Sequence, residues 1–413
     1  MVCEPREPEG VQIAALQYMS AGLDAESVVR AIRRALPRGK PPIALHEPCF
    51  NGNEWAYAKE CLDTGWVSSV GKFVDRFEKE LAEYTGVKRA VAVVNGTAAL
   101  YICLKLAGVE PGDEVLVPAL TFVATANAVT YCGAIPHFAD SELKTLGMDP
   151  AKLDSHLNEI SVVRKDGCYN KITGRRIRAA VPMHTFGHPV DLDGLAEVCA
   201  RHRIEMVEDA AESLGSFYKG KHTGNWGRAS ALSFNGNKVI TTGGGGAILT
   251  NDEELGRMAK HITTTARIPH RWEISHDMTG YNYRLPNINA ALGCAQLEQL
   301  PSFLEKKRAL AGRYKTAFAG VEGVSFFTEP EHARSNYWLN AIVLDEGNSS
   351  YRDTVLDMAG REDFQMRPAW VLMHRLPMFN KNPRMDLSTA EDLARRLINI
   401  PSSAVLGEAN GNS

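Results

Sequence analysis

The sequence predicts an α/β protein: a three-layer sandwich around a mostly parallel central sheet, with a smaller C-terminal α+β domain. Three observations point there. Between residues 89 and 209, short β-branched runs alternate with helical stretches, and such alternation builds parallel βαβ units. After about residue 287 the pattern changes to long helical stretches that lead into strands. The chain has 413 residues, 44% of them hydrophobic, which is enough to bury more than one domain-sized core.

In chain order, "LDAESVVRAIRRAL" places Val28, Val29, Ile32 and Leu36 at helical spacing, so a helix is predicted from near Asp24 to the break at "PRGKPP". Two further helices are predicted around "NEWAYAKECLDTG" and "FVDRFEKELAEYTG". Strands follow at "RAVAVV", "EVLVP", "IPHFAD", "RAAVPM" and "IEMVED", with helices at 97–108, 121–132 and 191–202 among them. Two long helices, "NINAALGCAQLEQL" and "SFLEKKRALAGRYKTAF", precede strands near "VSFF" and "YWLNAIVL". A helix after Ser350 and another from Ser388 complete the pattern. The expected organisation is an N-terminal helical extension over 1–41, a large α/β domain over 42–286, a small domain over 287–403 and a disordered tail over 404–413.

Bulk properties exclude several function classes. A formal net charge of −3 points to neither nucleic acid nor anionic membranes as partners. The opening "MVCEPREPEG" is acidic and proline-bearing, unlike a signal peptide. The most apolar window, "AVAVVNGTAALYICLKLAGV", is interrupted by Asn95, Gly96, Thr97 and Lys105 and reads as strand, turn and helix, not as a membrane span. The eight cysteines are scattered with no CxxC pair, as in a reduced, cytoplasmic protein.

Candidate chemistry gathers at the carboxyl ends of the strands, where ligands of such sheets bind. In "LSFNGNKVITTGGGGAILTND" one lysine, Lys238, sits among small residues and is followed by Gly243 to Gly246. A lysine approached closely by something large needs such surroundings. Asn95, Gly96 and Thr97 lie between a strand and a helix, where free amides and a hydroxyl can hold phosphate; the simpler reading makes Thr97 a helix cap. Phe122 enters a helix just past another strand and either stacks on a planar ring or joins the core. Glu208 and Asp209 close a strand that reads as buried, which is costly without a partner, unless Asp209 caps a following helix. A lysine, a carboxylate, a phosphate site and an aromatic plate are together what pyridoxal 5′-phosphate (PLP) requires. The lysine bonds the aldehyde, the carboxylate keeps the pyridine nitrogen protonated, and the phosphate anchors the cofactor. Ser233 is placed to give that phosphate a hydroxyl. His184 and His188 are four apart, but Gly187 and Pro189 argue against a helical metal pair and no third ligand is evident, so no metal is expected.

These residues resemble the aspartate-aminotransferase-fold (fold type I) sugar aminotransferases that act on nucleotide-linked keto-sugars. The resemblance runs from Pro42 to Ser402 and rests on "NGTAAL", "PALTFVATANA", "EDAAESLGS", "SFNGNKVITTGGGGAILTND" and "GYNYRLPNINAALGCAQLEQL". The stretch "LHEPCFNGNEWAYAKECLDTGWVSSVGKFVDRFE" is similar to a subgroup that aminates C4 of 4-keto-6-deoxy sugars in the legionaminic-acid and bacillosamine pathways. The resemblance implies Lys238 as the lysine that carries PLP and Asp209 as the partner of the ring nitrogen. It implies Gly96, Thr97 and Ser233 as phosphate contacts and Phe122 as the stacking residue. Glu212 falls where relatives often carry Gln or His against the cofactor's phenolic oxygen. An ionised carboxylate would repel a phenolate, so Glu212 is expected to be either protonated or turned away. Asn282 matches a residue that reaches the neighbouring subunit's cofactor, implying a homodimer with shared active sites. Ser68 and Ser69 match a hydroxyl pair near the substrate, and His184 lies in a turn near the cofactor and is expected, with His374, to contact substrate. His374 and Arg367 line the nucleotide side or are solvated.

The implied reaction is ping-pong transfer of an amino group from glutamate to a sugar of the UDP-4-keto-6-deoxy-N-acetylglucosamine type. A GDP- or dTDP-linked keto-sugar is the alternative, and a non-catalytic PLP-binding regulator a second. Lys238 argues against the related sugar dehydratases, which carry His there. No GxGxxG opens a helix after a strand, so a nicotinamide enzyme lacks support.

Overall fold

The computed structural model describes residues 23–37 and 42–408. In chain order its helices are α1 (Ala25–Ala35), α2 (Glu54–Thr64), α3 (Lys72–Thr85), α4 (Gly96–Leu106), α5 (Val123–Tyr131), α6 (Pro150–Ile160), α7 (Leu192–His202), α8 (Glu253–Thr263), α9 (Asn287–Phe318), α10 (Arg352–Arg361) and α11 (Ser388–Arg396). The first strands are β1 (Arg89–Val93), β2 (Glu114–Pro118), β3 (Ile135–Ala139), β4 (Ser161–Arg164), β5 (Gly167–Asn170), β6 (Arg176–Ala180) and β7 (Glu205–Asp209). They are followed by β8 (Phe217–Tyr218), β9 (Lys221–His222), β10 (Ala229–Ser233), β11 (Gly246–Thr250), β12 (Val324–Phe326), β13 (Ala333–Arg334), β14 (Asn340–Leu344), β15 (Arg367–Pro368) and β16 (Leu397–Ile400).

The large sheet runs β1-β11-β10-β7-β6-β2-β3, with the β4–β5 hairpin paired beside β6. Strands β10, β7, β6, β2 and β3 are parallel, whereas β11 is antiparallel to both β10 and β1. The mostly parallel expectation therefore holds, with β11 inserted antiparallel near one edge and β5 pairing antiparallel with β6. That insertion has a local cause: β10 returns directly as β11 through the 234–245 loop, and a direct return can only pair antiparallel. All five residues of β2 are buried, as a strand covered on both faces must be. On one face lie α3, α4, α5 and α8; on the other α6 and α7 pack through Leu153, Leu157, Leu192 and Leu195. These are the three layers.

The small domain is the antiparallel sheet β12-β14-β16-β15 with its covering helices. Helix α1 begins as expected, with Asp24 accepting from the Glu26 N–H at 3.0 Å. Its apolar face, Val28, Val29 and Ile32, joins Tyr314, Phe318, Ile342 and Ile398 in one core, so this helix closes the small domain.

Two expectations are corrected. The two long helices after residue 287 are one continuous 32-residue helix, α9, with Pro301 inside it. Proline removes one backbone N–H, but Pro301 is exposed, so its ring meets solvent and not the core, and the helix continues through it. The tail expected to be disordered from 404 is ordered to 408. A 3-10 turn over Ala404–Gly407 packs on α9, Arg313 donates to the Leu406 carbonyl, and Lys306 pairs with Glu408 at 2.7 Å. Residues 409–413 lie outside the described residues.

One glycine fixes how close β11 lies to the start of α4. A Cβ at Gly246 would stand 2.5 Å from the Asn95 carbonyl carbon and 2.7 Å from the Gly96 nitrogen, all backbone atoms. We expect Gly246→Ala to force the two apart and to cost about 1–3 kcal/mol, measured by chemical denaturation against wild type.

Candidate active site

The C-terminal edge of the large sheet opens into a cleft of about 290 Å³. Strand β7 delivers its two last residues to opposite faces, as strand geometry requires. Glu208 turns inward. It accepts from the N–H groups of Gly224, Trp226 and Gly227 at 2.7, 2.6 and 2.8 Å and stands 3.1 Å from His184 Nε2. His184 Nδ1 accepts from the Val190 N–H at 3.3 Å, so Nε2 carries the proton and donates to Glu208. Burial pushes the Glu208 carboxyl up, but these donors outweigh it and hold it below the usual range. His184 is wholly buried behind the cleft. The expectation that it touches substrate is corrected: its ring is spent on Glu208.

Asp209 faces the cleft. Its Oδ2 accepts from the Thr125 hydroxyl at 2.7 Å and its Oδ1 from the Ala211 N–H at 3.2 Å. Burial pushes its carboxyl above the usual range, against those two donors and the Lys238 charge. Turns, not a helix, follow β7, so Asp209 caps nothing. Thr125 contacts Thr121 at 2.8 Å; the two are a helical turn apart, a spacing present in "LTFVAT" whose use only the fold reveals.

The start of α4 forms another wall. Asn95, not Thr97, is the cap: its side chain accepts from the Ala98 N–H at 2.8 Å. The amides of Gly96 and Thr97 precede any intrahelical partner and point outward. Ser233, at the end of β10, lies against them because residue 96 is glycine; a Cβ there would stand 2.8 Å from Ser233 Cβ. Phe122 is 50% exposed on the cleft wall, so it is no core residue.

Lys238 rises from the β10–β11 loop. Its Nζ lies 4.0 Å from the centre of the Trp338 ring and 3.3 Å from Glu212 Oε1. Trp338 is locked by its own Nε1–H, which donates to the Asn237 carbonyl at 2.6 Å. Glu212 is buried and faces the cleft, so it is not turned away. Its Oε2 accepts from the Phe186 N–H at 3.0 Å. Phe186 holds φ at 57°, a left-handed conformation that costs a bulky residue about 1–3 kcal/mol and here aims its amide at Glu212. Burial pushes the Glu212 carboxyl up to about 7, against Lys238, with the nearby Asp209 charge adding to the rise. Arg367 and Trp370 complete the opposite wall, and the buried Arg367 Nε has no partner among the described residues.

The remaining expected residues lie elsewhere. Ser68 is exposed, while Ser69 and Arg284 line a separate hollow of about 230 Å³. Arg284 Nη2 donates to Asn282 Oδ1 at 3.4 Å. None of Ser68, Ser69 or Asn282 lines the cleft of its own chain. His374 is also absent from the cleft; it is buried beside Glu391, 3.1 Å from Oε1, and the expectation of substrate contact is corrected for it. His188 is packed edge-on against Phe327 and Tyr337, and among the described residues no group of side chains could hold a metal.

The profile described as the DegT/DnrJ/EryC1/StrS aminotransferase family matches residues 48–411. The chain belongs to this family. It is 38% identical to the GDP-perosamine synthase of Caulobacter vibrioides over 90% of this chain and 95% of that one. It is 36% identical to the GDP-perosamine synthase of Escherichia coli O157:H7 over 87% and 93%. It superposes on the aminotransferase TlmJ from Streptoalloteichus hindustanus with a TM-score of 0.80 at 27% identity, covering 90% of this chain and 96% of that one. The aminotransferase is a PLP-dependent sugar aminotransferase, and its cleft fits that cofactor. A lysine and a carboxylate face each other's neighbourhood across it, two free amides and a hydroxyl form an anion site, and a Cβ on the lining residue Gly244 would meet nothing within 4 Å except the cleft itself. Among the described residues no helix is long and apolar enough to cross a membrane.

Glu212 gives the aminotransferase a pH dependence that can be signed. Its folded value of about 7 lies above the ordinary 4.5. Its contribution to stability is therefore complete below 4.5 and is lost as pH rises to 7. In cofactor-free protein we expect wild type to lose about 3 kcal/mol relative to Glu212→Gln across that interval, measured as the difference in unfolding free energy at each pH.

Proposed function

We propose that this aminotransferase moves the amino group of glutamate to C4 of a GDP-linked 4-keto-6-deoxy sugar. The observation that carries the nucleotide is the near full-length similarity to two GDP-perosamine synthases. It favours GDP over the UDP-linked sugar expected from the sequence. The seven described cysteines are all unpaired, which supports a reducing compartment, the cytoplasm.

In this reading residues 42–286 form the cofactor-binding domain and 287–403 the small domain. Lys238 bears the cofactor through Nζ and Asp209 holds the proton on its ring nitrogen. The Gly96 and Thr97 amides and the Ser233 hydroxyl take the phosphate, and Phe122 covers the ring. When bound, PLP supplies an electron sink for breaking the donor's α-carbon–hydrogen bond. Lys238 Nζ then accepts the proton from the donor's α-carbon and later returns one toward the sugar, acting as base and acid in turn. Trp338 holds that amine in place from below. Arg367, a guanidinium on the wall whose buried Nε has no partner among the described residues, matches a donor carboxylate, which supports glutamate. Thr125 orients Asp209.

The test is a panel of GDP-, UDP- and dTDP-linked 4-keto-6-deoxy sugars assayed with glutamate. We expect kcat/KM for the GDP sugar to exceed the others by at least about 10-fold; equal or higher values for a UDP sugar overturn the reading.

Asn282, Ser68 and Ser69 stand outside their own cleft, which supports a two-fold dimer in which each chain completes its neighbour's site. Mixing Lys238→Ala with Asn282→Asp, each weak alone, leaves one intact site in each mixed dimer. We expect recovery to roughly a quarter of wild-type activity after random assortment, and no recovery if Asn282 serves its own chain.

A further inference from the structure

The ammonium form of Lys238 has no lone pair and cannot attack a carbonyl carbon. A proton must leave it first, in a cleft where its side chain is only 13% exposed. We infer that Glu212 is the base that takes this proton, leaving Lys238 a free amine while the proton stays in the cleft. The inference rests on the assignment of Lys238 as the lysine that bears PLP.

The step balances on two side chains. One N–H bond of Lys238 Nζ breaks and its electron pair stays on nitrogen; an O–H bond forms from a lone pair of Glu212 Oε1. An ammonium and a carboxylate become an amine and a carboxylic acid, and no other reagent is needed. In a buried site this exchanges a charged pair for a neutral one, which removes a desolvation cost from both partners.

Geometry selects Glu212 among the nearby groups. Oε1 is 3.3 Å from Nζ, and among the described residues it has no other donor. The other oxygen is occupied by the Phe186 N–H, so the carboxyl cannot rotate away without losing a bond. The turn beneath is fixed as well: Asn336 Nδ2 donates to the carbonyls of Glu212 and Leu214 at 2.8 and 2.9 Å. Asp209, the other carboxylate of the cleft, is committed to Thr125 and the Ala211 N–H. The Trp338 face touches Nζ but offers no lone pair that can keep a proton. The charged groups facing Glu212 are Lys238, Asp209 and Arg367. With burial they bring its carboxyl to about 7, near the working range where a general base is most effective. A carboxylate that served only as a counter-ion would instead favour the ammonium form.

The experiment follows the rate at which cofactor-free protein bonds added PLP, read as the absorbance band near about 420 nm, across a range of pH. At neutral pH we expect Glu212→Gln to react about 100-fold more slowly than wild type and to recover as rising pH lets hydroxide strip the ammonium. Glu212→Ala, slowed likewise, should regain rate in added formate, a carboxylate small enough to enter the space; loss of a structural contact would not respond. An unchanged rate and pH profile in Glu212→Gln, or no response of Glu212→Ala to formate, overturns the role. A separate control tests the underlying assignment: borohydride should trap PLP covalently in wild type but not in Lys238→Ala, and trapping in the variant would overturn Lys238 itself.

Discussion

The architecture of the cleft follows from the burial of three carboxyl groups, Glu208, Asp209 and Glu212, within five residues of one another at the end of a strand. Carboxylates in such a place are prohibitive unless each meets donors. The surrounding chain is arranged to supply them. The 224–227 loop turns three amides to Glu208, α5 brings Thr125 to Asp209, and the strained backbone at Phe186 turns one amide to Glu212. What the donors leave unmatched is the chemistry: Asp209 and Glu212 keep elevated proton affinities, and Lys238 lines the same cleft beside Glu212.

Much of this was readable from the chain. The alternating runs gave the strands of the parallel sheet because period and length agree with burial on both faces, as at β2. Lys238, Asp209, Gly96, Thr97, Ser233 and Phe122 all line one cleft because each lies at or just past the carboxyl end of a strand, where topology brings side chains together. Trp338 and Trp370 were harder. They come from the small domain, about a hundred residues further on, and nothing local marks them as cleft residues. His184 misled for the opposite reason: it is close in sequence to the cleft but its side chain points to the far side of the sheet, to Glu208. Thr97 was open between two roles because the capping rule accepts Asn and Thr alike, and only the fold shows Asn95 taking it.

The change of pattern after residue 287 was legible in the chain, and the way the helices join the two cores was not. A proline in a helical pattern is a reasonable stop signal, yet Pro301 faces solvent and α9 passes through it. The N-terminal helix looked like an appendage because it precedes the first sheet strand by more than fifty residues. In space it fills the small domain's core. Sequence distance is a poor guide where the packing partner lies at the other end of the chain.

Helix α9 also constrains motion. Its first half, from Ala290 to Leu304, is buried in the core of the large domain, and its second half, at Leu310, Tyr314 and Phe318, in that of the small one. A single rod therefore bridges the two walls of the cleft. Swinging one wall toward the other would have to flex this rod, and its one missing backbone bond, at Pro301, lies within the half that is buried in the large domain. The molecule thus resembles a vise with a fixed frame more than a pair of jaws, because one continuous helix is anchored in both cores.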